Sequence, residues 1–471
     1  MLRPKDSRVQ ALFKQPASTS DTPGGTMSRP RLLSRLLTGL VLLGLIVGAC
    51  SPPRPATAPP ASTAPAGAPT SAGGEPTEIT VWYFDRVSME TVIPLFEQRY
   101  PHIKVRFVHQ PFGDMAKKYQ AVLAARSNVP DVIGLDTSMV GRFLEAGENL
   151  LAPPYNAGQF RDQFVEWKFN APIVNGEMTA FPWDVATGVM FYRVDVFQRA
   201  GLPTEPEEVA KALATWEDFL RAGRQVVEKT GGESFMIGHP HDLYNVAFWQ
   251  NGGNIVVGDE IAFVREGREP LRLAIQAREA GISANIPAWS ERWAPALKSG
   301  KIATVITGAW MLGNLQTWID KEGAGRWRVA PAPGGAFNNG GTYLQIPKLA
   351  KNKAAAWEFI KFLTTTPEVQ NAVFQRTGIV PAYKPAWNSP LYDQPVEYLG
   401  GQRVWRLLVD LAQQVKPLAY SPVDALGTDL MNAQVDLAIA GKVPPEQALE
   451  TAARMLQERA ARTNLTLRLG T

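Results

Sequence analysis

Apolar and polar positions first fall into a regular order at Glu78. Ile79-Thr80-Val81-Trp82-Tyr83 alternates β-branched and aromatic residues with period two, which predicts a strand. Asp85–Tyr100 then carries helical spacing through Met89, Val92, Ile93, Leu95 and Phe96. Ile103–Val108 predicts a second strand, and Asp114–Arg126 a helix with Tyr119, Val122 and Leu123 turned inward. Asp131–Leu135 reads as a short buried strand. Strand, helix, strand, helix, strand is the order of a parallel α/β sheet. The pattern recurs in muted form after Phe191 and ends in a long helical tail expected over Ala425–Arg462, with no true internal repeat.

Ahead of Glu78 the pattern is of another kind. Arg29, Arg31 and Arg35 precede an apolar run, Leu36–Val47. That run is too short for a bilayer, which needs about 20 residues, and fits a signal-peptide core. Gly48-Ala49-Cys50 resembles the lipobox of bacterial lipoproteins, in which the cysteine thiol is acylated and the chain is cut just before it. The resemblance implies a leader over 1–49 and a lipidated Cys50; a plain secretory signal with an incidental cysteine is the alternative. Residues 1–26 lie ahead of any ordinary leader, so Met27 is expected to be the true start. From Ser51 to Pro76 the chain is rich in Pro, Ala, Thr and Ser and almost devoid of large apolar residues. It cannot bury enough surface to offset chain entropy, so residues 50–77 are expected to form an extended tether.

Composition changes the picture in one respect. Lys and Arg outnumber Asp and Glu by 48 to 44, and a sequence pI near 9.0 would suggest nucleic acid as a partner. Seven basic and two acidic residues precede Cys50, an excess of five, so without them the net charge of +4 becomes −1. No Lys/Arg run remains to meet a phosphate backbone, and no nucleic-acid partner is expected. Cys50 is the only cysteine, so no disulfide is expected and the cores must supply the stability. No GxSxG elbow and no HExxH helix is present. His239-Pro240-His241 lacks a third metal ligand, and Asn251-Gly252-Gly253-Asn254 is a turn without phosphate-loop context, so neither metal nor cofactor is expected.

Five blocks, in order, resemble the extracellular solute-binding proteins of ABC importers, family 1, the group of the maltodextrin-binding protein. Thr80-Val81-Trp82 leads to Phe96-Glu97-Gln98-Arg99-Tyr100-Pro101 and Ile103-Lys104-Val105; Asn128-Val129-Pro130-Asp131-Val132-Ile133 follows. Gly176–Pro182, Phe191–Phe197, Ala200-Gly201-Leu202 and Thr215–Phe219 form the most specific stretch. Thr307-Gly308-Ala309-Trp310 and Ala356–Leu363 complete the series. Arg193 and Ala309 replace the family's usual Asn and Pro, and Pro203–Leu213 is extra, so sugar specificity does not carry over. The resemblance implies an α/β, two-lobed fold of the periplasmic-binding type II. Each lobe would be a mainly parallel sheet flanked by helices, joined by three hinge crossovers near Val185–Gly188, Asn339–Thr342 and Ile379–Tyr383. It divides the chain into residues 78–184 with 342–380, and 185–341 with 381–471.

In such folds ligand lies between the lobes at the carboxyl ends of strands. Trp82 and Asp85 follow the first strand, and Asp136, Thr137 and Ser138 the third. Trp183 and Asp184 mark the first crossing; Thr342 and Tyr343 mark the second. From the other lobe come His241, Asp242, Tyr244 and Trp310. Indoles stack on the C–H faces of sugars while carboxylates take the hydroxyl rim, so this set suits a carbohydrate. For Trp82, Trp183 and Trp310 the competing reading is core packing; for Asp136 and Asp184 it is a helix cap or turn. The expected function is a lipid-anchored monomeric receptor that hands a sugar to a permease. A secreted glycan-active enzyme using Asp136 and Asp184, a solute sensor, and a binder of glycerol phosphate through Arg86, Arg142 or Arg193 remain alternatives.

Overall fold

A computed structural model describes residues 75–462 and 465–470, all within the compact unit Pro69–Thr471. The predicted leader, Cys50 with its lipid, and the tether up to residue 74 lie outside the described residues.

The first sheet is built from β1 (Thr77–Tyr83), β2 (Ile103–His109) and β3 (Val132–Asp136), with α1 (Arg86–Arg99) and α2 (Phe112–Ala125) between them. β3 runs directly into α3 (Thr137–Val140), and α4 (Glu166–Asn170) follows two short 3₁₀ segments. β1 is buried on both faces, which explains its nearly continuous apolar run. Ile79, Val81 and Tyr83 join Met89, Val92 and Phe96 of α1 in one core. Trp82, on the opposite face, joins Met115 and Tyr119 of α2 in another. β2 and β3 flank β1 in parallel, and β9 (Thr342–Gln345) then lies antiparallel to β3 with Thr342 opposite Asp136. β4 (Phe181–Pro182) closes the sheet, in the order β2-β1-β3-β9-β4.

The second sheet centres on β6 (Gly188–Arg193), antiparallel to both β7 (Thr304–Gly308) and β8 (Trp327–Ala330). Parallel bridges Phe235–Ile302 and Ile237–Ser283 extend it beyond β7. The expectation of mainly parallel sheets holds with one exception in each, since β9 in the first sheet and β6 in the second run against the other strands. A strand that arrives from the other sheet comes without the crossover helix a parallel neighbour needs, and enters reversed. β6 and β9 are those strands.

All three expected crossing points meet. β5 (Asp184–Val185) pairs antiparallel with β10 (Val380–Pro381). Asn339 N donates to Ala186 O at 2.9 Å, and Gly188 N to Phe337 O at 2.8 Å, so the second crossing is laced to the first. α6 (Lys353–Thr365) and α7 (Pro367–Thr377) pack back on α1. The helical tail expected over Ala425–Arg462 is formed by two helices, α8 (Asp424–Ile439) and α9 (Pro445–Ala461). Gly441 turns left-handed at φ 71°, and the Pro444-Pro445 pair opens the second helix because proline suits a helix start but not its interior. Both pack with helix α5 (Pro240–Gln250) and the helix Arg268–Glu279 around a separate core.

Candidate functional site

Asp136 ends β3 and caps α3, a position its short side chain suits. Its Oδ1 accepts from the Ser138 N–H at 2.9 Å and from the Ser138 hydroxyl at 2.6 Å. Its Oδ2 lies 3.6 Å from the point where a Cβ on Gly340 would stand, and Trp310 Nε1 lies 3.5 Å from the same point. Gly340, at φ 106°, thus separates a carboxylate of the first sheet from an indole that follows the second. Trp310 Nε1 donates to Asn339 O at 2.7 Å, which fixes the ring against the second crossing.

Beneath this pair lies a buried charge cluster. Asp184 accepts a close hydrogen bond from the Thr342 N–H and so ties the first crossing to the second. Thr342 Oγ1 and Tyr83 Oη lie 3.0 Å apart. Thr137 Oγ1 bonds to Gly340 O at 2.6 Å and Gly341 O at 2.9 Å, and accepts from Lys168 Nζ at 3.3 Å. Lys168 is fully buried, with its Nζ 3.9 Å above the centroid of the Tyr343 ring. Burial pushes the carboxyls of Asp136 and Asp184 upward while the Lys168 charge acts against the rise. Burial pushes Lys168 downward, opposed by Asp184 and Asp136. Asp85 stands at the edge of the cluster, accepting the Val87 N–H at 3.0 Å as the cap of α1. Trp183 is 1% exposed with its ring centroid 5.0 Å from Tyr83, and its Nε1 has no hydrogen-bond partner.

Above the cluster stands a group of indoles. Trp289 is 57% exposed, and its centroid lies 5.9 Å from Trp310, 4.7 Å from Trp293 and 6.4 Å from Trp318, itself 51% exposed. Trp289 adopts φ 64°. A bulky non-glycine residue there costs on the order of 1–3 kcal/mol, and such strain collects at ligand clamps. Trp318 sits on a single π turn, Leu315–Ile319, another feature frequent at functional sites. A cavity of about 190 Å³ opens beside these rings, lined by Trp289, Trp293, Thr307, Asn339 and Asp242 among others.

The fold therefore brings together Asp136, Thr137, Asp184, Thr342 and Trp310, with Asp85 and Trp183 adjoining. Other residues expected at the ligand surface have structural duties. Trp82, 8% exposed, fills the core under α2, because the strand's alternation turns it away from Tyr83. Tyr244 is fully buried and stacks on Phe248 in the tail-helix core. Tyr343 is fully buried and donates to Lys168 O at 3.0 Å. Ser138 is exposed and serves the Asp136 cap. His241 Nδ1 lies 2.6 Å from Asp436 Oδ1 beside a separate hollow of about 700 Å³. Asp242 borders both cavities and caps α5, accepting the His239 N–H at 3.0 Å. Among the described residues no group of three or more His, Cys, Asp or Glu could hold a metal ion.

Sequence reasoning missed Lys168, Trp289, Trp318 and Asn339. Asn339 fell inside a predicted crossing, and Trp289 could have been flagged as an indole in the loop Pro287-Ala288-Trp289-Ser290. Lys168 gave no signal, since a lysine in a short amphipathic helix reads as solvated.

The sequence profile of bacterial extracellular solute-binding proteins matches residues 92–399. The chain belongs to that family. It is similar to the arabinooligosaccharide-binding protein of Bacillus subtilis (strain 168), 24% identical over 445 residues, covering 89% of this chain and 98% of that protein. It is also similar to the lactose-binding protein of Rhizobium radiobacter, 22% identical over 384 residues, covering 78% and 87%. A crystal structure of an extracellular solute-binding protein of family 1 superposes with TM-score 0.74 at 25% identity, covering 82% of this chain and all 100% of that one. The galacto-N-biose/lacto-N-biose I-binding protein of Bifidobacterium longum, solved with lacto-N-biose, superposes with TM-score 0.69 at 18% identity, covering 84% and 100%. The family members share the two-lobed binding-protein fold, and these relatives are named for binding rather than for catalysis.

Proposed function

We propose that this protein is the substrate-binding component of an ABC importer and captures a neutral oligosaccharide between two lobes. Residues 78–184 with 342–380 form one lobe, and 185–341 with 381–471 the other. The observation that carries the reading is the indole group of exposed Trp289 and Trp318 with half-buried Trp310, whose Nε1 and an oxygen of Asp136 both flank Gly340. Flat apolar rings next to an acceptor carboxylate suit a ligand with C–H faces and a hydroxyl rim. The names of the relatives, arabinooligosaccharide- and lactose-binding proteins, point the same way. Cys50 would anchor the receptor at the outer face of the membrane, as a monomer that docks on its permease.

The ligand-contact set is Trp310, Trp289, Trp318, Asp136 and Asn339, with Asp85 at the margin. Asp184, Thr137, Thr342 and Trp183 support the floor from below. A glycerol-phosphate ligand would need a free cation in the crevice. Arg193 does not supply it: buried at 3% exposure, it bonds Asp195 at 2.8 and 2.7 Å and the Leu297 and Lys298 carbonyls at 2.8 and 2.9 Å. Arg86 and Arg142 are exposed to solvent. A glycan-cleaving role for Asp136 and Asp184 is also disfavoured, because Asp184 is 5% exposed and already holds the Thr342 N–H.

The test is a thermal-shift panel of arabinan, galactan and maltodextrin oligosaccharides with lactose and galacturonate oligomers. A ligand bound only by the folded state raises stability as RT ln(1 + [L]/Kd), about 2.7 kcal/mol at a hundredfold excess over Kd. At least one neutral saccharide should raise the melting temperature, and Trp310→Ala should abolish the rise. A response confined to the acidic oligomers, or to none of the panel, refutes the reading.

A further inference from the structure

Among the described residues Lys168 is the only lysine in the fully buried class, and the site has not yet required it. A buried ammonium is costly unless something uses its charge. Lys168 reaches from α4 to the meeting point of the two crossings. Its Nζ would stand 3.0 Å from a Cβ on Gly341, a point that is also 3.1 Å from Asp184 O and 3.3 Å from Ala186 N. Gly340 and Gly341, at φ 106° and 86°, pass over the ammonium in a conformation that side chains rarely adopt. The hydrogen bond to Thr137 links the ammonium to both glycine carbonyls. Its hydrogen bond is to the Thr137 hydroxyl rather than to a carboxylate, and its charge is felt by both Asp184 and Asp136.

The groups facing it come from every neighbouring element. Asp136 lies at the end of β3, Asp184 on β5 and Asp85 beyond β1. The phenols of Tyr83, Tyr343 and Tyr420 complete the surround, and burial keeps all three protonated. Two carboxylates share one ammonium, with a third at the margin. Of these, Asp136 alone combines an oxygen aimed past Gly340 with a place beside an indole.

We propose that Lys168 is a positioning residue whose ammonium holds Asp136 and Asp184 ionised around the second crossing, so that Asp136 meets the ligand as a charged acceptor. The use made of Asp136 rests on the saccharide reading above; the charge relation does not. Carboxylates in so dry a place would otherwise take up protons, and the acceptor would become a donor of changed geometry. Burial drives both carboxyls up and the ammonium down, and the charge of Lys168 on the carboxylates, and of the carboxylates on Lys168, acts against burial in each case.

The experiment follows the carboxyl ¹³C resonances of Asp136 and Asp184 with pH in the full chain, assigned through Asp136→Asn and Asp184→Asn. In Lys168→Met at least one midpoint should rise by about one pH unit or more, and Lys168→Arg should return it towards the wild type. Midpoints that stay within a few tenths of the wild-type values in Lys168→Met overturn the proposal. Should that variant not fold, the reciprocal measurement decides. The Lys168 ¹⁵Nζ midpoint should fall by about one unit or more in the near-isosteric Asp136→Asn, Asp184→Asn double variant. An unchanged lysine midpoint overturns the proposal equally. A saccharide panel without any response would strike the ligand reading and leave these titrations standing.

Discussion

Asp424 offers a stability prediction with a sign that can be checked. It opens α8 and packs against Gly141, just past α3, where a Cβ on Gly141 would collide with Ser421 O and crowd the Asp424 carboxylate. Asp424 Oδ2 accepts the Ser421 N–H at 2.8 Å, while Oδ1 is shut off from solvent with no partner. Burial pushes this carboxyl up from 3.8 to about 7, with the Ser421 hydrogen bond acting against the rise. In the unfolded chain the proton leaves near pH 4; in the folded protein it is held towards pH 7. Over that interval the folded state binds more protons, so stability falls as pH rises, and the full loss is present above pH 7. At about 1.4 kcal/mol per pH unit, a rise of this size corresponds to about 4 kcal/mol as an upper bound. Asp424→Asn removes the charge and keeps an acceptor for Ser421. It also buries an amide with no ready partner, which costs about 1–3 kcal/mol, and gives up a favourable charge at a helix start worth about 0.3–1 kcal/mol. The net gain at pH 8 should be about 1–2 kcal/mol, falling to zero or below near pH 4. For a body of roughly 400 residues this is on the order of 1–2 °C in melting temperature. Calorimetric melts of both proteins at unit steps from pH 4 to 8 read the difference directly. A difference that does not change with pH would refute the argument, because the burial of the amide does not depend on pH and the titration of residue 424 does.

Two further substitutions probe the site and its frame. Trp289→Gly should leave the unliganded melting temperature unchanged or slightly higher, since the left-handed backbone is relieved, yet weaken saccharide binding about tenfold or more in titration calorimetry. Equal affinity in the variant would remove Trp289 from the ligand surface. Gly188→Ala places a methyl inside the Phe337 ring, which is fully buried at the first crossing, and should cost about 1–3 kcal/mol in urea unfolding. A cost below about 0.5 kcal/mol would mean that Phe337 moves freely there.

The first half of the fold was legible because each element satisfies its own periodicity. The strand expected over Ile79–Tyr83 is Thr77–Tyr83, and the helix expected over Asp85–Tyr100 is Arg86–Arg99. The strand expected over Asp131–Leu135 is Val132–Asp136, shifted by one because Asp131 instead accepts the Thr80, Lys351 and Asn352 N–H groups. The strand-end rule pointed to Asp136 and Thr137, and they do sit where a strand yields to a helix. The same rule misplaced Trp82, because alternation fixes which face a residue takes and only packing says whether that face meets α2 or a ligand. Tyr244 failed for a related reason: its helix buries a face in the tail-helix core, and those tail helices follow some 180 residues later in the chain. Lys168 and Trp289 were invisible because their significance comes from partners far along the chain, Thr137 and Tyr343 for one, Trp310 and Trp318 for the other. Arg193, which departs from the family's usual residue, proves to be a strut between β6 and the helix ending at Ser299 rather than a specificity change.

The crowding of Trp289, Trp293, Trp310 and Trp318 has a practical consequence. Neighbouring indoles at these separations exchange excitation, and the wetter rings of the group set the colour of the shared emission. A guest that dries Trp289 would shift that emission to shorter wavelength without any dye attached, so the receptor carries its own optical gauge of occupancy.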